Sequence, residues 1–542
     1  MLSLELKHVV KDFGDRRLFK IDYLKVYSED RIGVIGANGI GKTTLLQIMA
    51  GIIEPDEGTV SRRCPLSYIT QMDDIDRTAV ISNPLLAQQF KVGMQYSETL
   101  SGGEKTRYKI AAALSQESSL LLADEPTANL DIQGIELLQQ KLTEFKGALV
   151  IISHDRILLE AVCNIIWVID GRKVRVYKGD FQDYLVQKEI ERKREEAEYD
   201  TYIAEKKKLE EAVDNRANQA VSMRKTPKRM GNSEARLHKM GNQKAKANLN
   251  KAVVAMETRL SQLEEKKKPP KEPTVVFDLT NANSLQSKVV LQGERVCKSF
   301  GSRMLFNNAQ FSIFNGQKVA LVGANGCGKT SLLKMIVRGE EGCFIAPQAR
   351  FGYFSQEMEG LDVTKSVLTN VMNTSIYDEG FVRSILARLL FKREEVFKPV
   401  AVMSGGERTR ITLAKIIVSE ANFLLLDEPT NYLDIPSIQA LESVLTEYKG
   451  TILFASHDRK FINSIVTHLM LIEAGEIRIF SGNYRQYLEH EKERKENQLN
   501  EGRFLFEYRL TEVLSKLSLA KDKDSIERLD REYQELLRSL RC

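Results

Sequence analysis

The sequence predicts an α/β protein in which one domain occurs twice, with an α-helical hairpin linker between the copies and a helical C-terminal extension. The first observation is a glycine-rich segment, Gly36 to Thr43, that returns 287 positions later as Gly323 to Thr330. The second is a series of later motifs, such as Ser-Gly-Gly-Glu, that recur 303 positions apart. The third is a charge-dense stretch between the copies that has few Gly or Pro residues in its helical parts. Together they predict domains at 1–188 and 273–490, a linker at 189–272 and an extension at 491–542.

Composition excludes several classes of protein. The chain has 542 residues, 42% of them hydrophobic, so it can form sizeable cores. No run of 18 apolar residues predicts a membrane-spanning helix, and the N-terminus lacks the pattern of a secretory signal. The six cysteines include no C-x-x-C pair, which disfavours a disulfide framework or a zinc site. We therefore expect a cytoplasmic protein without a membrane domain.

Each glycine-rich segment follows a short apolar strand and opens a helix, as a phosphate-binding P-loop must. Its glycines let backbone N–H groups converge on phosphate oxygens, and its lysine neutralises the β- and γ-phosphates. A turn without function is the alternative for one such loop, and its occurrence in both copies disfavours that alternative. The residues predicted to bind ATP are Gly36, Asn38, Gly39, Gly41, Lys42, Thr43, Thr44, Gly323, Asn325, Gly326, Gly328, Lys329, Thr330 and Ser331.

An apolar run in each copy ends in an Asp-Glu pair, a pattern typical of a buried parallel strand that delivers acids to the ligand-binding edge of the sheet. The aspartates and the P-loop threonines are candidate Mg²⁺ ligands, and the glutamates would orient or deprotonate the attacking water. In sequence order, the candidates of this motif are Thr43, Asp124 and Glu125 in the first copy and Thr330, Asp427 and Glu428 in the second.

A histidine follows the next apolar strand in each copy, at the same distance from the glutamate. A lone histidine is more often structural than catalytic. Because His154 and His457 recur together with the acids, we favour a catalytic role in which they sense the γ-phosphate.

With these motifs, the segment Leu100-Ser101-Gly102-Gly103-Glu104 resembles the signature of ATP-binding-cassette (ABC) ATPases, and it returns as Ser404-Gly405-Gly406-Glu407. The tandem arrangement, without a membrane domain and with a charged helical linker, is similar to the ABC-F family of ribosome-associated ATPases. The resemblance covers nearly the whole chain and implies two tandem ABC-type P-loop ATPase domains that hydrolyse ATP with Mg²⁺.

The resemblance also implies roles for further residues. Gln71 and Gln356 match the Q-loop glutamines near the metal, Asp131 and Asp434 the D-loop acids, and Phe13 and Phe300 the aromatic that stacks on adenine. In this family the two domains of one chain pair head to tail, so we expect a monomer. Ser101, Gly102 and Gly103 would then close over the nucleotide on Lys329, and Ser404, Gly405 and Gly406 over the one on Lys42. The family's usual D-loop histidine is replaced by Asn129 in one copy and Tyr432 in the other.

The linker carries concentrated positive charge. The whole chain has a net charge of only +5, whereas the segment from Arg216 to Lys251 holds ten basic residues and one acid, Glu234. Charge of one sign at the tip of a projecting arm repels itself unless a polyanion receives it. Helices of about 25 residues would reach roughly 40 Å. The candidate RNA- and tRNA-binding residues are Arg216, Arg224, Lys225, Lys228, Arg229, Arg236, Lys239, Lys244 and Lys246.

The resemblance implies that the arm lies over P-site tRNA, with the ATPase domains contacting rRNA in the E-site region of the ribosome. Within the family, the linker and tail are similar to the antibiotic-resistance branch of Vga-, Sal- and PoxtA-like proteins, which protect the ribosome. A housekeeping translation regulator of the same family is the nearest alternative. An ATPase subunit of an ABC importer or a DNA-repair ATPase is a more distant one.

Overall fold

The structure is a computed structural model that describes residues 1–14, 16–71, 80–222, 232–266, 287–301, 303–355, 360–519 and 531–534. It divides into two compact units, which are described separately below. The first contains both domain copies and comprises Met1–Val162, Trp167–Arg175 and Val275–Cys542. The second contains the linker helices and comprises Cys163–Ile166 and Val176–Thr274.

The first copy contains a six-stranded sheet of order β5-β6-β7-β3-β8-β9 and a three-stranded antiparallel sheet of order β2-β1-β4. Strands β5, β6, β7 and β3 pair in parallel. In chain order the elements are β1 (Leu2–Phe13), β2 (Arg16–Tyr27), β3 (Arg31–Gly36), α1 (Lys42–Ala50), β4 (Glu57–Arg62), β5 (Leu66–Ile69), α2 (Pro84–Gln89), α3 (Gly102–Leu114), β6 (Leu120–Asp124), α4 (Ile132–Glu144), β7 (Ala148–Ile152), α5 (Arg156–Val162), β8 (Ile165–Asp170) and β9 (Lys173–Lys178).

The second copy repeats this topology, with sheets of order β14-β15-β16-β12-β17-β18 and β11-β10-β13. Helices α9 and α10 lie in a segment where the first copy has only α2 among its described residues. The elements are β10 (Val289–Phe300), β11 (Arg303–Phe314), β12 (Lys318–Val322), α8 (Lys329–Arg338), β13 (Cys343–Ile345), β14 (Phe351–Phe354), α9 (Val367–Met372), α10 (Glu379–Arg388), α11 (Gly405–Ile417), β15 (Phe423–Asp427), α12 (Ile435–Glu447), β16 (Thr451–Ala455), α13 (Arg459–Ile465), β17 (His468–Glu473), β18 (Glu476–Ser481) and α14 (Tyr484–Leu519).

The central strands explain where the functional groups lie. Every residue of β6, β7, β15 and β16 is buried, because these parallel strands are covered on both faces. The apolar runs predicted from the sequence are therefore core strands, and the predicted α/β fold is confirmed. Their carboxyl ends bring Asp124 and Asp427 to one edge of each sheet.

The second unit contains two long helices, α6 (Phe181–Ser222) and α7 (Asn232–Gln262). Arg259 pairs with Glu205, and Lys266 with Glu198. From the first ion pair to the second, the position of the basic residue rises by seven, whereas that of its glutamate falls by seven. The two segments are therefore antiparallel. The apolar stripe of α7 is half-buried along its length, and it comprises Leu249, Val253, Met256, Leu260 and Leu263 just beyond the helix end.

Two helix starts lie earlier than the predicted boundaries. The predicted linker begins at Glu189, whereas α6 begins at Phe181, because the Asp180 carboxylate accepts hydrogen bonds from the N–H groups of Gln182 and Asp183. Similarly, α14 begins at Tyr484, ahead of the extension predicted from residue 491. Both boundaries therefore lie within continuous helices. None of the described helices is both long and apolar enough to cross a bilayer.

The antiparallel helix pair predicts different effects for two adjacent valines of α7. Val253 belongs to the half-buried stripe, whereas Val254 is 59% exposed. We expect Val253→Asp to destabilise the helix pair by at least about 1 kcal/mol, because it places a charge in a largely apolar contact. Val254→Asp should change stability by no more than about 0.5 kcal/mol.

The measurement is limited proteolysis of the full chain under native conditions. If cleavage follows the population of the opened helix pair, Val253→Asp should raise the rate in the linker about five-fold or more. Equal rates for the two variants would contradict the assignment of this face of α7.

Candidate functional site

The glycine-rich loops form two anion cradles. Gly41 and Gly328, which precede α1 and α8, have φ values of 108° and 110° in the left-handed region. A Cβ atom at Gly41 would lie 3.1 Å from the Phe19 ring, so both the backbone and the space favour glycine. The Lys42 ammonium donates to the Gly36 carbonyl at 2.7 Å, and that of Lys329 to Gly323 at 2.9 Å. Each loop therefore presents a helix N-terminus together with a positioned cation.

The acidic pairs lie beside these cradles. Asp124 and Asp427 are buried, and burial raises the pKa of Asp124 to about 6 and also raises the pKa of Asp427. The Thr330 hydroxyl donates to Asp427 at 3.1 Å. Glu428 is buried as well, and burial raises its pKa to about 7. The low-dielectric surroundings thus favour a positive partner for these carboxylates.

A histidine contacts the glutamate in each copy. The distance from His154 Nε2 to Glu125 Oε1 is 3.2 Å, and that from His457 Nε2 to Glu428 Oε1 is 3.3 Å. Burial lowers the pKa of His154 and lowers that of His457 to about 3. His457 is therefore neutral at physiological pH, and its contact with Glu428 is a close approach of a neutral imidazole to a buried carboxyl group, without a hydrogen bond to Oε1.

The donor set fits a magnesium ion. Both carboxylate oxygens of Asp124 are buried, and the hydroxyl groups of Thr43 and Tyr68 lie beside them. Thr43 and Gln71 line the same cleft and offer the hard oxygen donors that Mg²⁺ prefers. Among the described residues, however, no group of three or more His, Cys, Asp or Glu side chains is arranged as a metal site. The fit is therefore to an ion held by few protein ligands together with phosphate oxygens, as is usual for Mg²⁺.

Each cradle is completed by the other domain copy. The Asn325 side-chain amide donates to the Asn129 carbonyl at 2.7 Å, and its backbone N–H donates to Asp131 at 3.1 Å. A Cβ atom at Gly103, in the first turn of α3, would lie 2.9 Å from the Asn325 amide nitrogen. The signature segment, which includes Gly103, thus lies against the P-loop of the second copy.

The reciprocal contact has the same form. The Asn38 side-chain amide donates to the Tyr432 carbonyl at 2.7 Å, and a Cβ atom at Gly406 would lie 3.5 Å from that amide nitrogen. Ser101 and Ser404 cap α3 and α11 with reciprocal hydrogen bonds to Glu104 and Glu407. Two P-loops and two signature helices therefore meet head to tail around one cleft of about 1610 Å³.

Nearly all predicted nucleotide-site residues line this cleft. Gly36, Gly323 and Asp427 do not line it. The carbonyls of Gly36 and Gly323 accept hydrogen bonds from the P-loop lysines, and Asp427 accepts one from Thr330, which does line the cleft. Gln356 lies outside the described residues. The cleft-lining candidates are Phe13, Asn38, Gly39, Gly41, Lys42, Thr43, Thr44, Gln71, Ser101, Gly102, Gly103, Asp124, Glu125, His154, Phe300, Asn325, Gly326, Gly328, Lys329, Thr330, Ser331, Ser404, Gly405, Gly406, Glu428 and His457.

The candidate RNA-binding residues are described less completely. Arg216 lies on α6 with its side chain half-buried. Four candidates lie on α7, and four fall outside the described residues. Those on α7 are Arg236, Lys239, Lys244 and Lys246, and those outside are Arg224, Lys225, Lys228 and Arg229.

Some contacts in the cleft and next to it were not predicted from the sequence. The carbonyls of Asn129 and Tyr432 accept the cross-copy hydrogen bonds, and both residues have left-handed φ values, 61° and 64°. Arg156 and Arg459 form buried ion pairs with the opposite copy. The only signal for the arginines was that the Ser-His-Asp repeat continues as Ser-His-Asp-Arg in both copies.

Comparison with known proteins identifies similar chains. A family model described as ABC transporter matches residues 20–128 and 306–431. The chain is 31% identical to the ribosome protection protein VmlR of Bacillus subtilis (strain 168), over 99% of this chain and 97% of that protein. It is 35% identical to the erythromycin resistance ATP-binding protein MsrA of Staphylococcus epidermidis, over 85% of this chain and 96% of that protein. It is 28% identical to ABC transporter F family member 5 of Arabidopsis thaliana, over 90% and 77%.

Solved structures share the fold at lower identity. The archaeal ribosome recycling factor aABCE1, solved in complex with the ribosomal stalk protein aP1, superposes with a TM-score of 0.58. The match covers 87% of this chain and 89% of that chain at 19% identity. An RNase-L inhibitor structure gives the same TM-score, over 89% and 91% of the two chains. These matches show that the arrangement of two ATPase domains is shared.

The two left-handed positions predict opposite effects of exchanging their side chains. Tyr432 is 64% exposed and has φ 64°, a conformation that asparagine tolerates better than tyrosine. We expect Tyr432→Asn to stabilise the second domain by about 1 kcal/mol and Asn129→Tyr to destabilise the first by a similar amount. Thermal unfolding without nucleotide should show midpoint shifts of roughly 2–4 °C in opposite directions. Shifts of the same sign would contradict the role of backbone strain.

Proposed function

Because the chain belongs to the ABC-F family of ATPases, we propose that it binds the ribosome and uses ATP-driven closure of its two domains to protect the ribosome from antibiotics. The chain is an ATP hydrolase with two ATP-binding-cassette domains. The observation that carries the proposal is the pair of cross-copy contacts from Asn38 and Asn325, because they make each nucleotide site depend on both domains. Closure and nucleotide binding are then one event.

In the proposed mechanism, each ATP lies between a P-loop and the signature segment of the other copy. One site combines Lys42 with Ser404 to Gly406, and the other combines Lys329 with Ser101 to Gly103. The lysine exchanges its loop carbonyls for phosphate oxygens, and the opposing helix N-terminus adds N–H donors and a favourable dipole. Phe13 and Phe300, both exposed at the cleft, would stack on the adenine rings.

Hydrolysis needs a base next to the γ-phosphate. Glu125 and Glu428 would accept the proton of the attacking water, and His154 and His457 would hold the glutamates and contact the γ-phosphate. Since the pKa of Glu428 lies near 7, its carboxylate can both take up and release a proton near neutral pH. Loss of the γ-phosphate removes what the signature segment binds, so the domains reopen and the protein leaves the ribosome.

The magnesium site is also part of the proposal. Thr43, Gln71 and Asp124 would hold the ion in one site, and Thr330, Gln356 and Asp427 in the other. When bound, Mg²⁺ would neutralise phosphate charge during transfer. The Thr330 hydroxyl donates to Asp427, so these two candidate ligands lie side by side.

Several facts support the ribosome as partner. The relative that matches 99% of the chain is named a ribosome protection protein, and another is named for erythromycin resistance. The linker concentrates basic residues between Arg216 and Lys251, as a segment that binds RNA would. We propose that this linker, within 189–272, reaches P-site tRNA and the peptidyl-transferase centre while the domains contact rRNA in the E-site region.

The finer assignments belong to the same proposal. They are a Vga-, Sal- or PoxtA-like branch, a monomeric cytoplasmic protein, ATPase domains at 1–188 and 273–490, and a C-terminal extension from 491. A housekeeping translation regulator would share the ATPase cycle and the ribosome, and it differs only in its effect on drug susceptibility.

Trapping the closed state tests ribosome binding. Glu125→Gln with Glu428→Gln should bind ATP without hydrolysing it, because the amides cannot accept the proton. With ATP, this double variant should pellet with ribosomes at low ionic strength, and most of it should remain in the supernatant without nucleotide. Adding Lys42→Ala and Lys329→Ala should abolish ATP-dependent pelleting. Equal recovery with and without ATP would contradict nucleotide-driven closure, and no recovery would contradict ribosome binding.

Drug susceptibility tests protection. For growth inhibition, a sensitive host that expresses the chain should need at least about four-fold more of some drug directed at the peptidyl-transferase centre. A four-fold change corresponds to about 0.8 kcal/mol in the apparent free energy of drug binding. Shortening the linker between Asn215 and Lys251 should remove the protection while ATP hydrolysis by the purified protein persists. No change with any such drug class would favour the housekeeping alternative, and full protection by the shortened chain would contradict the role of the linker tip.

A further inference from the structure

A buried ion network joins the two domain copies next to the histidines of the ATP sites. Arg156 follows His154 and Asp155 in sequence, and Arg459 follows His457 and Asp458. The two arginines are only 2% and 7% exposed, although each carries a full charge. Buried charges of this kind are retained only where partners compensate for lost hydration.

The arginines hold their outer partners firmly. Arg156 forms a bidentate contact with Glu442 on α12 of the second copy, including a 3.0 Å bond from its Nη1 to Oε2. Arg459 donates from Nη2 to the side-chain oxygen of Gln139, on α4 of the first copy, at 3.1 Å. Each arginine is therefore anchored on the body of the opposite domain.

The inner contacts cross between the two histidine segments and are looser. Arg156 Nη2 lies 3.7 Å from Asp458 Oδ2, and Arg459 Nη2 lies 3.5 Å from Asp155 Oδ2. Both distances exceed that of a good charged hydrogen bond, so these contacts can tighten or loosen while the outer ones hold.

Asp155 and Asp458 are oriented toward the arginines of the opposite copy. Asp155 Oδ1 accepts from the Leu158 N–H at 3.0 Å, and Asp458 Oδ1 accepts from the N–H groups of Lys460 and Phe461 at 2.9 Å. One oxygen of each aspartate thus caps its own helix, and the other faces the arginine of the opposite copy. A displacement of one histidine segment must therefore act on the aspartate–arginine pair of the other.

We propose that Arg156 and Arg459 are positioning residues that transmit nucleotide occupancy between the two ATP sites through their crossed contacts with Asp458 and Asp155. The inference rests on the ATP sites proposed above and adds a coupling between them. Nucleotide at either site pulls its histidine toward the γ-phosphate and shifts the adjoining Asp-Arg segment. The crossed contacts then bias the opposite histidine toward the same position, and the two sites fill together.

The experiment measures coupling in binding, so hydrolysis and ribosomes are not needed. In the Glu125→Gln/Glu428→Gln protein, a fluorescent N-methylanthraniloyl-ATP titration gives the affinity for filling both sites. Lys42→Ala and Lys329→Ala, added singly, give the affinity of each site alone. The coupling factor is the overall association constant for filling both sites divided by the product of the two single-site association constants. We expect a coupling factor of at least about five.

The main variant replaces both members of the firm pair, Arg156→Gln with Glu442→Gln, so that no unpaired charge remains between them. A matched control replaces Arg388 and Glu447, a bidentate pair within the second copy whose arginine is buried, by the same two changes. We expect the coupling factor to fall below two-fold in the main variant and to keep its value in the control. A milder variant, Asp155→Asn, keeps an oxygen for the Leu158 N–H and should lower the factor at least two-fold.

Retained coupling in both test variants would overturn the inference, as would an equal loss in the control or a factor of one in the starting protein. A loss of coupling in Asp155→Asn alone still supports it if the main variant fails to fold by circular dichroism. Absence of nucleotide binding at both sites would instead refute the ATP-site assignment on which the inference rests. Failure to pellet with ribosomes would leave the coupling measurement unaffected.

Discussion

The side-chain amides of Asn38 and Asn325 reach across the boundary between the two domain copies and donate to carbonyls of the opposite copy. Those carbonyls point outward because Tyr432 and Asn129 adopt left-handed backbone conformations, which cost energy for most residues. This geometry brings the P-loops and signature helices together head to tail. The nucleotide sites therefore depend on the interface between the domains rather than on either domain alone.

The interface combines two kinds of polar contact with different tasks. At the cleft, neutral amide–carbonyl hydrogen bonds and helix N-termini leave room for a highly charged ligand. Behind the histidines, Arg156 and Arg459 are buried and pair with acids or amides of the opposite copy. Removing the partner of a buried charge costs far more free energy than removing a surface contact. The buried arginine contacts therefore also determine which faces of the two domains meet.

Much of the fold followed from local sequence patterns. The P-loops, the buried strands before Asp124 and Asp427, and the heptad stripe of α7 depend on spacings of a few residues, and such spacings are legible in a sequence. The boundary predicted at Glu189 lies inside α6, because the change in charge texture near Glu189 is more conspicuous in a sequence than the cap at Asp180. The cross-copy contacts could not be derived, since Asn325 and Asn129 are 196 positions apart and Arg156 and Glu442 are 286 apart. Only the resemblance to a known family implied head-to-tail pairing.

Helix α6 runs without interruption for 42 residues, from a first turn in which Phe181 and Tyr184 are buried. At 1.5 Å per residue it is roughly 60 Å long. A rod of that length acts as a lever, since a tilt of about five degrees at its base displaces its far end by roughly 5 Å. A small tilt can therefore leave the packing around Phe181 intact. At the opposite end of the helix, the same tilt gives a displacement comparable to the width of a side chain.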